Sequence, residues 1–172
     1  MSMRSIGKII LSWLMLISPA WSLNFGGQYL EAVDRVEACY LIFMRLYHAT
    51  LYSDKVGDTR CVDLEYLRPF SREELARATV EIYSKRYGEP VDQDDASELQ
   101  RLVDAYHSVE QGDRYRFCLS ASRGAELARD GEPVLRTGST EFARRVLGLW
   151  VVDVDDSGRV QWNFATCKQR IF

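Results

Sequence analysis

The run Tyr40 to Tyr52 (YLIFMRLYHATLY) constrains this chain more than any other stretch. It is aromatic and branched almost throughout and holds neither Gly nor Pro, which predicts one long β-strand. Its first half is apolar on both faces, as a strand in the middle of a sheet must be. Ser53–Thr59 (SDKVGDT) then supplies the turn residues Asp54, Gly57 and Asp58. Arg60 to Leu67 alternates, with Val62, Leu64 and Tyr66 facing inward and Asp63 and Glu65 outward. The two runs form an antiparallel hairpin. A loop centred near Val56 sets Cys61 opposite Tyr52.

The next signals are helical. Ser71 with Glu74 three residues on is a capping box, and Phe70 and Leu75 hold the staple positions around it. Leu75, Ala78, Ile82 and Tyr83 continue as one apolar stripe, which Gly88 and Pro90 stop. A second helix is expected from Asp94 to Glu110, with Leu99, Leu102, Val103 and Tyr106 on one face. Strand patterns return at Tyr115, Phe117 and Leu119, and Asp130-Gly131 inside Ala125–Arg136 marks a tight hairpin. Ser139 or Thr140 caps a third helix bearing Phe142, Val146, Leu149 and Trp150. Asp155–Gly158 is a turn, and Val160, Trp162 and Phe164 suit a last short strand before a loose tail holding Cys167. Strands, two helices, strands, helix, tail is not a β-α-β alternation. It predicts an α+β fold, a large antiparallel sheet with helices packed on one face.

The N-terminus reads as an address. Arg4 and Lys8 precede the apolar run Ile9–Ile17, Pro19 breaks it, and Ala20-Trp21-Ser22 puts small residues three and one before a cut at Leu23. The expectation is a signal peptide over 1–22, a single domain over 23–172, and a periplasmic or secreted protein. The apolar run is too short for a membrane span of roughly 20 residues, and no later segment is long and apolar enough. An oxidising compartment makes Cys39, Cys61, Cys118 and Cys167 candidates for disulfides. In the hairpin register above, Cys39 lies on the order of 40 Å from Cys61 at about 3.3 Å per residue. A bridge needs Cα atoms within about 7 Å, which leaves Cys61 to Cys118 or Cys167.

No motif calls for a cofactor or a metal. There is no phosphate-cradling Gly-rich loop, no G-x-S-x-G and no H-E-x-x-H. The acidic runs Asp94-Asp95 and Asp153–Asp156 lack the loop of a calcium site. The net charge of −3 is spread along the chain, which argues against nucleic acid. Nothing in the pattern sets an oligomeric state. On the long strand, alternation sends Tyr47 and His48 to opposite faces and puts Arg45 on the face of Tyr47. An Arg fork and a Tyr donor on one apolar face form a ligand-binding pair suited to a carboxylate.

Five segments in order resemble the chalcone isomerase-like domains. Phe43–Tyr52 (FMRLYHATLY) is similar to that family's early strand, and Leu64–Leu75 (LEYLRPFSREEL) to its strand-to-helix step. Val109–Phe117 (VEQGDRYRF), the Asp130-Gly131 hairpin and Thr140–Trp150 (TEFARRVLGLW) follow in the family's order, with the short exported bacterial members as the nearest kin. The resemblance implies an open-faced β-sandwich. Its plant enzymes isomerise chalcones with an Arg and a strand hydroxyl, positions that Arg35 and Tyr47 would fill here; His48 is a further catalytic candidate. Other members bind fatty acids without catalysis. The expectation is therefore a non-catalytic protein holding a small apolar, amphipathic or acyl ligand between sheet and helices. An isomerase or lyase of the family's type, and an interaction module without a pocket, are the alternatives.

Overall fold

The computed structural model describes residues 22–41, 43–88, 91 and 93–167. Of the expected signal peptide only Ser22 falls among them. Seven strands run in chain order through one antiparallel sheet: β1 (Ser22–Phe25), β2 (Gln28–Tyr40), β3 (Met44–Ser53), β4 (Thr59–Tyr66), β5 (Arg114–Ser120), β6 (Gly124–Arg129) and β7 (Glu132–Thr137). Helices α1 (Arg72–Tyr87) and α2 (Gln93–Asp104) interrupt it after β4, and α3 (Thr140–Leu147) follows β7. A small hairpin, β8 (Val151–Val154) with β9 (Val160–Trp162), precedes the final described residues.

All three helices contribute to one core with the sheet. Val62, Leu64, Tyr115, Phe117 and Leu127 from the strands meet Tyr83, Leu102, Val103, Phe142 and Val146 from α1, α2 and α3. Tyr83, Leu102, Leu127 and Phe142 are fully buried, and each large apolar side chain so placed contributes about 1.5–3 kcal/mol. The expected α+β architecture is the one observed. The sheet also curls, so that the β1–β2 end passes over its outer face. Leu30, Cys61 and Cys118 form a second, smaller core there, flanked by Leu23, Phe25 and Tyr52. Thr59 donates to Gln28 at 2.9 Å and Arg123 donates to the carbonyl of Gly26, which pins that end down.

Local signals hold where they are chemical. The capping box at Ser71 and Glu74 closes in both directions. Asp130 and Gly131 both take positive φ, 50° and 89°, the conformation a two-residue hairpin turn demands. The β3–β4 register places Tyr52 opposite Cys61 as expected. Ser139 caps α3, accepting from Phe142.

Several expectations need correction, and the third helix stops at Leu147, short of Leu149 and Trp150. Tyr40–Tyr52 is not one strand: Tyr40 ends β2, the chain reverses, and β3 starts at Met44. Leu41 takes φ 51° in this turn and leaves 60% of its surface exposed, with Phe43 at 76%. A reversal written in apolar residues carries none of the Gly, Asn or Asp marks of a turn. β3 is nonetheless an interior strand, between β2 and β4. The second helix ends at Asp104, not Glu110, because Val109 is claimed by Phe70 in a reciprocal pair of backbone hydrogen bonds at 3.0 and 2.9 Å. The tail at Cys167 is not loose. β1 covers the edge of β2 only as far as Glu31, and beyond it residues 165–167 take that edge, with Cys39 N–H donating to Ala165 at 2.9 Å and Cys167 N–H to Glu37 at 2.8 Å.

The cysteines follow from this topology. Cys61 and Cys118 face each other across β4 and β5 and are bridged, and Cys39 is bridged to Cys167. Of the two partners left open for Cys61, the strand neighbour is the one used. A peptide map of the unreduced protein is expected to yield Cys39–Cys167 and Cys61–Cys118. A Cys39–Cys61 peptide would contradict the β3–β4 register. Replacing both Cys61 and Cys118 with Ser is expected to lower stability by about 2–4 kcal/mol in a denaturant titration.

Candidate functional site

Between β3, β4 and α1 the core is not filled. A cavity of about 340 Å³ is floored by Leu46, Tyr47, Leu64 and Tyr66, roofed by Leu75, Ala78, Thr79 and Ile82 of α1, and closed by Phe70, Tyr106, Leu149 and Trp150. The roof is the apolar stripe and staple read from the sequence. Its volume is at the lower end for small-molecule sites, and its mostly apolar lining with few polar groups is the usual character of one. Among the described residues Glu74 is the one charged residue of the lining, and its carboxylate is held by the backbone N–H of Ser71 at 2.7 Å.

Besides Glu74 and Thr79, the polar groups of the lining are phenols. Tyr47 meets Tyr66 edge to face, with ring centroids 5.9 Å apart, and Phe164 lies 5.4 Å from Tyr47 on its other side. Tyr66 in turn meets Tyr115, which meets Tyr106. Thr79 donates to the Tyr106 oxygen at 3.1 Å, leaving the Tyr106 proton uncommitted. Among the described residues the Tyr47 and Tyr66 hydroxyls have no hydrogen-bond partner. Burial raises the pKa of all three: Tyr106 to about 12, Tyr66 well above its ordinary value, and Tyr47 likewise upward. These groups stay protonated and act as hydrogen-bond donors. A phenol shifted in this direction is poorly matched to proton exchange near neutral pH.

Of the residues singled out in the sequence, the cavity gathers only Tyr47. The shared face expected for Arg45 and Tyr47 does not form, because a β-bulge falls at this point. Ala38 pairs with Tyr47 and Cys39 with Arg45, so Leu46 is an extra residue and the alternation slips by one beyond it. Arg45 instead forms a two-pronged bond to Glu37 at 2.6 and 2.5 Å, with its side chain 58% exposed. His48 faces away from Tyr47 as expected and lies 3.6 Å from the same carboxylate. Arg35 pairs with Thr50 in register and reaches Glu65, itself bound by Arg114, on the outer face. That face carries a charged network centred on Asp63, which is 3% exposed and held by Arg114 and Arg116.

Other concavities are of different character. One of about 500 Å³ on the outer face is lined by Arg116, Arg123 and Arg136, which already bond Asp63, Gly26 and Glu126. Another of about 370 Å³ mixes Arg60, Arg86 and Arg144 with Asp58 and Asp153. Among the described residues, the group of His, Cys, Asp and Glu close enough to share a metal is Glu37, Cys39 and Cys167, whose sulfurs are joined as a disulfide. Sequence reading missed Tyr66, Tyr106 and Thr79 as site residues. Tyr66 was visible as inward-facing on β4, but its convergence with Tyr106 depends on the backbone pairing at Phe70 and Val109.

No protein-family model and no curated protein matches this sequence. Among solved structures, the chain is similar to the crystal structure of a fatty-acid binding protein from Arabidopsis thaliana. The TM-score is 0.53 at 12% identity, over 77% of this chain and 89% of that one. The fold is thus the chalcone isomerase-like one: a curled seven-stranded antiparallel sheet with three helices.

The buried phenols make stability depend on alkaline pH. A group whose pKa is raised on folding adds stability that is fully present below its unfolded pKa, about 10 for Tyr. That stability is lost as the pH climbs through the folded value. Ultraviolet titration of the native protein is expected to leave at least three of the nine tyrosines un-ionised at pH 11. The unfolding midpoint in urea is expected to fall between pH 10 and 12. Full ionisation of all nine near pH 10 in the folded state would show the phenols to be solvated.

Proposed function

We propose that this chain is an exported, non-catalytic binding protein that holds a small apolar or amphipathic ligand between its sheet and α1. The observation carrying the reading is the apolar cavity lined by Tyr47, Tyr66 and Tyr106. The fatty-acid binding protein of similar fold supports a binding role over a catalytic one. An isomerase or lyase is less well supported: Arg35 and His48 lie on the outer face and Tyr47 is poorly matched to proton transfer. A module without a pocket is at odds with a cavity of about 340 Å³.

Export is part of the same reading. Two disulfides suit an oxidising compartment, and among the described residues no helix is long and apolar enough to cross a membrane. A cut after Ser22 would leave a mature chain that opens directly into β1.

Native mass spectrometry of protein recovered from the periplasm is expected to show a bound apolar molecule, with the polypeptide starting at Leu23. Repeated preparations without one would count against the binding role. Ala78 lines the cavity at an exposed position of α1, so Ala78→Trp adds bulk there with little cost to folding. It is expected to weaken ligand binding at least tenfold in a fluorescence displacement assay while moving the melting temperature by a few degrees at most. Unchanged binding would place the ligand elsewhere.

A further inference from the structure

Resting on the binding role just proposed, the lining defines the ligand's head as well as its tail. The cavity is lined by the phenols Tyr47, Tyr66 and Tyr106, and among the described residues no cation joins them. The charged side chain that borders it is the carboxylate of Glu74. Arg68 is a guanidinium close enough to Glu74 to act on its charge. It is not part of the lining, lies 5.3 Å from the centre of the Phe70 ring, and bonds Met44. Its charge is set against that of Glu74, whose pKa the Ser71 backbone, the Ser71 hydroxyl and then Arg68 and Arg77 hold low.

The physical consequence concerns desolvation. An ionised carboxylate drawn into an apolar cavity loses its hydration and needs a paired cation or a full set of donors in return. Here it would also approach Glu74, a like charge. A ketone, ester, ether or alcohol oxygen loses far less on leaving water, and one or two phenolic donors replace its hydrogen bonds. From this we infer that the cavity selects an uncharged apolar molecule carrying a single oxygen function, such as a medium-chain alcohol or ketone, over the fatty-acid anion of equal length. Tyr47 and Tyr66, whose hydroxyls have no other partner among the described residues, receive that oxygen. Glu74 at the exposed edge of the lining adds a solvent-screened repulsion against the anion.

Isothermal titration calorimetry at pH 8 on the mature, disulfide-intact protein tests this with 1-decanol, 2-undecanone and decanoate. The uncharged probes are expected to bind at least tenfold more tightly than decanoate. Glu74→Gln retains the capping-box side chain and is expected to strengthen decanoate binding severalfold while leaving 1-decanol unchanged. Tyr47→Phe combined with Tyr66→Phe keeps the rings and is expected to weaken 2-undecanone binding about tenfold. Decanoate binding as tightly as 1-decanol would overturn the selection of a neutral head and leave the binding role standing. Binding of none of the three, together with an empty cavity in native mass spectrometry, would overturn both. Full affinity for 2-undecanone in the double variant would remove the phenols from the recognition.

Discussion

The structure depends on a division of labour across β4. The strand is buried on both faces for most of its length, and the pleat sends different chemistry each way. Val62, Leu64 and Tyr66 face the helices, whereas Cys61, Asp63 and Glu65 face the outer surface. Neighbouring strands repeat the division in register: Tyr47 lies beside Tyr66, and Arg116 lies beside Asp63. A slip of one residue would drive Asp63 and Glu65 into the apolar layer and the tyrosines into the ionic one. The ion pairs and the cross-strand disulfide on the outer face thus hold the register that gives the inner face its cavity.

Much of the fold was legible because it is written in local chemistry. The capping box at Ser71, the Asp130-Gly131 turn and the alternation of Arg60–Leu67 each act within a few residues and appear where expected. The hairpin at residues 40–43 was not legible. Leu41 adopts a left-handed conformation under tertiary constraint, so the turn has no turn-forming residue. β1 and β2 also went unread, although Gly26-Gly27 between two alternating runs was a usable signal for the turn that joins them. The end of α2 was misplaced for a further reason: Tyr106 to Glu110 has helical periodicity, but its backbone bonds are taken by Phe70.

The site was half legible. Alternation set Tyr47 and His48 on opposite faces, and Tyr47 is the one that lines the cavity. Arg45 was placed with it by the same rule, and a single extra residue at Leu46 separates them. A bulge leaves no clear mark in one sequence, since the residues on either side of it obey the pattern separately. The phenol cluster was hidden because Tyr66 and Tyr106 are separated by two helices in the chain and meet only through the fold. The result is a sheet whose ionic network around Asp63 sits on one side and whose apolar cavity sits on the other.

The two disulfides are nested. Cys39–Cys167 spans a separation of 128 residues and encloses Cys61–Cys118 with a separation of 57. All three helices, strands β3 to β9 and every lining residue of the cavity lie inside the outer loop. A protease that cuts any one exposed loop within it releases no fragment, because both new ends remain covalently tied. The nicked chain keeps its strand pairs and loses only the local continuity of the cut loop. Loss of the cavity by proteolysis therefore requires either a second cut or prior reduction. The durability of the cavity is set by the redox chemistry of its surroundings more than by the exposure of its loops.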